Sequence, residues 1–263
     1  MWLRGLVRSV VAVGWTVGLL PVQLLALRTS PALARQIPKI YHRGACRILG
    51  LKISVRGRPS SEGPVLYAVN HASWLDIVVL GSVLETGFVA KKEVATWPGI
   101  GLMAKLQGTI FVDRSRHKTR SGTTRVSEHL ARGHRLVLFP EGTSNDGVSI
   151  LPFRSSFFSA AEQLSDNNGL QVQPVSLTYL RRAGFPILRS GMPSVAWYGD
   201  MALAPHLWRL FCGSGSIEVV LDFHPQADTR LHKSRKALAR HCYEMVSDGA
   251  ARTRQGSVSE AAP

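Results

Sequence analysis

The stretch PVLYAVNHASWLD, Pro64 to Asp76, sets an apolar run directly before a polar turn that carries a histidine and an aspartate five residues apart. The run Val65 to Val69 reads as a strand, and Leu75 to Leu84 after the turn reads as a helix. Strand, turn and helix in that order form the unit of an α/β fold. On a regular helix five positions turn about 500°, which would hold two side chains roughly 140° apart and out of contact. His71 and Asp76 meet only if His71 lies in the turn and Asp76 in the first turn of the helix that follows.

The rest of the chain extends this pattern. Further strands are expected at Thr86 to Ala90, Thr109 to Val112, Arg135 to Phe139, Val172 to Thr178 and Ile217 to Phe223. Helical patterns fall at Ile100 to Leu106, Thr119 to Arg132, Ser156 to Leu164 and His232 to Val246. No internal repeat and no Gly/Ser/Pro-rich linker divides the 263 residues, so one large domain is expected over residues 61–248. The polar tail 249–263 reads as disordered. Three cysteines, Cys46, Cys212 and Cys242, have no metal-ligand spacing, which argues against a disulfide framework or a zinc site and for a reducing compartment. Chemistry is expected in the loops where strands end.

Charge and the N-terminus define the partners. Lys+Arg 32 against Asp+Glu 17 gives +15 and calls for a negative surface: nucleic acid, anionic lipid or an acidic protein. Ser9 to Leu27 holds no charged residue and is about long enough to cross a ~30 Å hydrocarbon core, although Pro21 and Gln23 interrupt it. A cleaved signal peptide and a helical hairpin within one leaflet are the competing readings of that run. Arg35, Lys39, Arg43 and Arg47 recur every four residues beside Leu33, Ile37, Ile40, Ile48 and Leu49, with no acid between Arg28 and Ser61. This is the pattern of an interfacial helix against anionic headgroups, so residues 1–60 are expected to be a membrane-associated helical segment with its basic side in the cytoplasm. Nucleic acid ranks below the membrane, and none is expected as a partner, because the basic row follows a membrane-length apolar run and lacks interleaved aromatics.

Four polar stretches stand at strand ends. In VNHASWLD, a histidine whose other ring nitrogen is held by aspartate is a base able to activate a hydroxyl. A purely structural role, with His71 capping the helix and Asp76 joining its first-turn electrostatics, uses the same residues. No G-x-S-x-G motif accompanies the pair, so the attacking hydroxyl can belong to the substrate. GTIFVDR, Gly108 to Arg114, ends a strand in Arg114, whose fork can grip phosphate or carboxylate or simply pair with Asp113. LFPEGTSNDG, Leu138 to Gly147, turns a strand into backbone N–H groups able to hold an oxyanion, with Glu141 aimed inward, or is a plain β-turn. VQPVSLTY, Val172 to Tyr179, is an apolar strand suited to lining a hydrophobic channel.

These four blocks, in this order and spacing over about residues 60–225, resemble the motif blocks of the glycerolipid acyltransferases, and the chain is similar to the 1-acylglycerol-3-phosphate acyltransferases. The resemblance implies a single α/β domain with a mixed central sheet and helices on both faces. It implies acyl transfer from acyl carrier protein or acyl-CoA to a lysolipid hydroxyl, at the cytoplasmic face of a bacterial inner membrane, with no cofactor and no metal. His71 becomes the catalytic base and Asp76 its orienter, while Arg114, Glu141, Gly142, Thr143, Ser144 and Arg154 form the substrate-binding set. Many members of the family carry arginine where this chain has Ser144; Arg154 in LPFRSS, or Arg114, is placed to compensate. FPEGTSNDG with LPFRSS, and WYGDM at Trp197 to Met201, also look like the bacterial branch that acylates lyso-ornithine lipid. Lysophosphatidic acid is the first expectation for the acceptor and lyso-ornithine lipid the second. A catalytically silent protein that binds anionic membranes is the alternative of another class.

Overall fold

The computed structural model describes residues 1–60, 62–113, 119–164, 170–229, 232 and 234–259. Two N-terminal helices, α1 (Trp2–Thr29) and α2 (Pro31–Leu49), precede β1 (Leu51–Gly57), β2 (Val65–Val69), α3 (Leu75–Val83), β3 (Gly87–Lys91), α4 (Ile100–Leu106), β4 (Ile110–Val112) and α5 (Thr119–Ala131). Then come β5 (Arg135–Leu138), α6 (Ser159–Gln163), β6 (Gln171–Arg182), β7 (Phe185–Pro186), α7 (Leu203–Cys212), β8 (Ile217–Phe223) and α8 (Arg235–Ser259). The sheet runs β1-β8-β6-β2-β5-β3-β4, with β7 paired to β6. Strands β6, β2, β5, β3 and β4 are parallel neighbours, and β8 is antiparallel to β6, so the expected mixed sheet is present.

Alternation along β2 builds the core. Val65, Tyr67 and Val69 join one apolar cluster with Leu49 of α2, Leu75 and Leu80 of α3 and Leu210 of α7. Leu66 and Ala68 join the other, with Leu130 of α5, Ala161 of α6 and Val246 of α8. Helices therefore cover both faces, and a strand buried on both sides must be apolar throughout, as VLYAV is. Because the five parallel strands share one direction, the C-terminal ends of β2, β4 and β5 lie at one sheet edge, where an open α/β sheet places its ligands.

Two expected boundaries are corrected. Leu51–Gly57 is not part of a helical segment ending at residue 60: Gly50, at φ +72°, ends α2 in a left-handed cap and β1 pairs in parallel with β8 over its whole length. LKISVRG is short and carries two charges, Lys52 and Arg56, and only β8 makes it a strand. The tail from residue 249 is not disordered up to Ser259, because α8 continues with Ala250 and Thr253 buried. Arg254 donates from Nη2 to Gly147 O at 2.6 Å, and from Nη1 to Val148 O, so polar residues there are consumed by packing. Residues 260–263 lie outside the described residues. All three cysteines are free and buried.

Candidate active site

His71 lies in the turn after β2, and Asp76 in the first turn of α3, which begins after Trp74. That break in the helical register brings His71 Nδ1 to 2.8 Å from Asp76 Oδ2. Asp76 is fully buried, and the same oxygen accepts the Ala72 N–H at 2.7 Å and the Ser73 N–H at 2.9 Å. A carboxylate only accepts, so Nδ1 carries the proton and Nε2 presents its lone pair. Nε2 has no protein partner among the described residues, and the side chain keeps 19% of its surface exposed. Phe139 stacks on the ring at a centroid distance of 4.0 Å and fixes its plane.

Tyr179, the last residue of VQPVSLTY, donates its hydroxyl to Asp76 Oδ1 at 2.6 Å. Burial, and then the Asp76 charge, push its phenol well above the usual range, so it remains a donor. The sequence held a usable signal: Tyr179 shares strand parity with Val175 and Leu177, both buried, and a buried phenol needs an acceptor. Asn70 completes the link between these two blocks, donating to Leu177 O at 2.9 Å and accepting from Leu177 N at 2.8 Å. VQPVSLTY therefore pins the catalytic turn as a buried central strand; it does not line a channel.

Glu141 needs correction as a substrate contact. It is 1% exposed, and both oxygens are engaged: Oε1 accepts the His71 N–H at 2.6 Å, and Oε2 accepts the Leu151 N–H at 2.8 Å and the Asn145 side-chain amide. Burial pushes its carboxyl up to about 7 against those hydrogen bonds. Glu141 acts as a bracket between the loops, reinforced by Asn145 N–H to His71 O at 3.0 Å. Gly142, at φ +79°, uses its own amide inside the turn, to Phe139 O at 3.1 Å, and so does not offer that N–H to an oxyanion. The amides of the exposed Thr143 and half-buried Ser144 have no acceptor among the described residues. Arg154 is exposed and stands over Gly142, with Nε 3.4 Å from where a Cβ would project. Arg154 also lines a cavity of about 160 Å³ with Val112, Asp113, Leu138 and Phe157. Arg114 lies outside the described residues.

The catalytic turn has one more support. Trp197 of WYGDM donates its backbone N–H to Ala72 O at 2.8 Å, and Trp74 donates Nε1–H to Nδ1 of the buried His206 at 3.0 Å. A histidine able to take a proton at Nε2, held at Nδ1 by a saturated carboxylate, is equipped as a general base with no nucleophile of the enzyme's own.

Comparison with known proteins gives the chain a family. The family profile described as Acyltransferase matches residues 52–178, which spans the His71 turn, the Glu141 loop and β6 as far as Thr178. A lyso-ornithine lipid O-acyltransferase of Rhizobium meliloti (strain 1021) is 37% identical, covering 100% of this chain and 92% of that protein. A 1-acyl-sn-glycerol-3-phosphate acyltransferase of Neisseria gonorrhoeae is 35% identical over 74% of this chain and 73% of that protein. The crystal structure of the 1-acyl-sn-glycerophosphate (LPA) acyltransferase PlsC from Thermotoga maritima shares the fold at a TM-score of 0.70 and 19% identity, covering 96% of this chain and 95% of that one. With a relative of this identity along its whole length, and His71 and Asp76 joined in the geometry acyl transfer needs, the chain belongs to the acyltransferase family.

Proposed function

We propose that the protein moves an acyl group from a thioester, on acyl carrier protein or coenzyme A, to the free hydroxyl of a lysolipid. The observation that carries this reading is the 2.8 Å bond from His71 Nδ1 to Asp76 Oδ2, which leaves Nε2 as the available base. Nε2 takes the hydroxyl proton as the substrate oxygen attacks the thioester carbonyl. The tetrahedral oxyanion then collapses, the C–S bond breaks, and the imidazolium returns the proton to the leaving thiolate. Such general-base assistance is worth roughly 10² to 10⁴ in rate. Asp76 stabilises the imidazolium, and the unengaged amides of Thr143 and Ser144 are suited to the oxyanion.

Lyso-ornithine lipid is the acceptor favoured first: Ser144 supplies no guanidinium, and the relative that matches this chain end to end carries that name. Lysophosphatidic acid has one observation in its favour, the Arg154 guanidinium over Gly142. Turnover of purified protein in detergent with a labelled acyl thioester and both lysolipids side by side decides between them, with His71→Ala as control. Preference for lyso-ornithine lipid is expected; preference for lysophosphatidic acid assigns the phosphate to Arg154, and turnover by His71→Ala overturns the mechanism.

A membrane surface is the proposed location, at the cytoplasmic side of a bacterial inner membrane. Leu3, Val10, Val17 and Leu25 of α1 are exposed along a helix of 28 residues, about 42 Å long. Near one end, Arg8 Nη1 donates to Phe211 O in the last turn of α7 at 3.2 Å and to Gly213 O just beyond it at 2.9 Å; near the other, Gln23 Nε2 donates to Leu106 O of α4 at 2.8 Å. A helix tied to the domain at both ends lies along it, which suits a single leaflet better than a span. The basic row of α2 is partly used within the protein: Arg43 Nε donates to Ser82 O at 3.1 Å and Lys39 stands 3.9 Å from Glu85. Arg35 and Arg47 remain exposed for headgroups, in keeping with a cytoplasmic basic side.

A further inference from the structure

A second exposed apolar feature lies far from α1 in sequence, at the hairpin that joins β6 to β7. Its two central residues, Ala183 at φ +52° and Gly184 at φ +85°, form the tight two-residue turn that matches strand twist. Ala183 is the one non-glycine with positive φ among the described residues. The hairpin is stiffly held: Ala183 N–H donates to Ser216 O at 2.7 Å, Ile187 N–H to Leu180 O at 2.8 Å, and Arg182 Nη1 to Ser194 O at 3.1 Å. Ile187 packs against the core, yet Phe185 is 74% exposed and Leu188 68% exposed. A rigid turn that spends an unfavourable backbone conformation to project an aromatic and a leucine into solvent calls for an apolar partner.

Charge and anchoring identify that partner. Arg189, next to Leu188, has an 80% exposed side chain, while Arg181 lies opposite Glu218 in the strand register and Arg182 is turned inward. The loop that receives the Ala183 N–H also receives α1, because Gly213 O accepts from Arg8. The tip and α1 are therefore anchored on the same short loop, and an exposed Phe/Leu pair beside a guanidinium matches the boundary between acyl chains and anionic headgroups. It also adjoins the catalytic turn: Arg189 Nη2 is 3.8 Å from Asp146, and the preceding Asn145 N–H bonds His71 O.

We propose that the Phe185–Arg189 tip is a second bilayer contact, with Phe185 and Leu188 entering the headgroup boundary of an anionic membrane and Arg189 on lipid phosphate, holding the site against the surface that supplies its lysolipid. This rests on the membrane reading above. The native cysteines are buried, so an environment-sensitive fluorophore on Phe185→Cys reports the tip alone, with Lys236→Cys on exposed α8 as control. With phosphatidylglycerol-containing vesicles the label at 185 is expected to shift to the blue and brighten, while pure phosphatidylcholine gives little change and the control stays solvent-like. A solvent-like label at 185 on protein that sediments with the vesicles overturns the tip and spares α1; failure to sediment at all overturns both. In parallel, Phe185→Ser with Leu188→Ser is expected to keep wild-type turnover of micellar lysolipid and to lose roughly tenfold on lysolipid in anionic vesicles. Wild-type turnover on vesicles, or an equal loss in micelles, overturns a surface role for the tip.

Discussion

Two buried carboxylates flank His71 and hold different parts of it. Asp76, fully buried, grips the ring through Nδ1; Glu141, 1% exposed, grips only the backbone N–H. Both are saturated with donors, and both stand just after a strand at the same sheet edge, Asp76 in the first turn of α3 and Glu141 in the turn after β5. Burial and hydrogen-bond count therefore do not separate a residue of the chemistry from a residue of the scaffold. What separates them is the group they touch: in the proposed reaction an imidazole changes charge and a peptide N–H does not. In that mechanism Asp76 acts on the energy of the imidazolium, and Glu141 acts on where the imidazole sits.

The largest expected effect breaks the pair at its centre. His71→Ala removes the base and is expected to lower kcat by about 10² to 10⁴ while leaving the melting temperature near wild type, which turnover and thermal unfolding in detergent together check. Glu141→Gln tests the scaffold side, because its amide nitrogen points a donor at the Leu151 N–H or the Asn145 amide. A loss of about 3 kcal/mol in unfolding free energy is expected, with activity falling through displacement of the turn; full stability with lost turnover would instead put Glu141 in the chemistry.

The support behind the turn gives a smaller, pH-dependent effect. Burial depresses His206, 1% exposed, to about 4, and its Nδ1 accepts from Trp74, so protonation there must break that bond. Its folded value lies below the unfolded value of about 6.5, so the unfolded chain takes up the proton first and stability is lost as pH falls from about 6.5 toward 4. The stability advantage of wild type over His206→Phe is expected to shrink by about 2 kcal/mol between pH 7 and pH 5, measured by denaturant unfolding at both. The smallest change sharpens the Asp76 side: Tyr179→Phe keeps the ring but removes one donor to Oδ1. A loss of about tenfold in kcat is expected, with a shifted acidic limb of the pH–rate profile; a loss of stability with an unchanged profile would mark Tyr179 as packing alone.

Much of this arrangement is legible in the residues. The apolar run before Asn70 and the helical run after it required His71 in a turn and Asp76 on a helix start, and the bond between them lies there. The central strands and the two-faced core followed from uniform apolarity, as in VLYAV. Partners that come from far along the chain were not legible. Tyr179 reaches Asp76 across 103 positions and Arg254 reaches Gly147 across 107, and no local pattern encodes either pairing. The family resemblance assigned Gly142 and Glu141 to the substrate-binding set, but the turn and the buried loop contacts use their polar groups.

Sequence alone determined the α/β class, the pairing of His71 with Asp76, and an apolar basic N-terminus, because each depends on periodicity or spacing within a few residues. Only tertiary structure decided that LKISVRG is an edge strand, that the C-terminal residues up to Ser259 continue a helix bracing the Glu141 loop, and that α1 is fastened to the domain at both ends. Each of those outcomes depends on a hydrogen-bond partner supplied from elsewhere in the fold. A half-polar segment has no preferred state until that partner is in place.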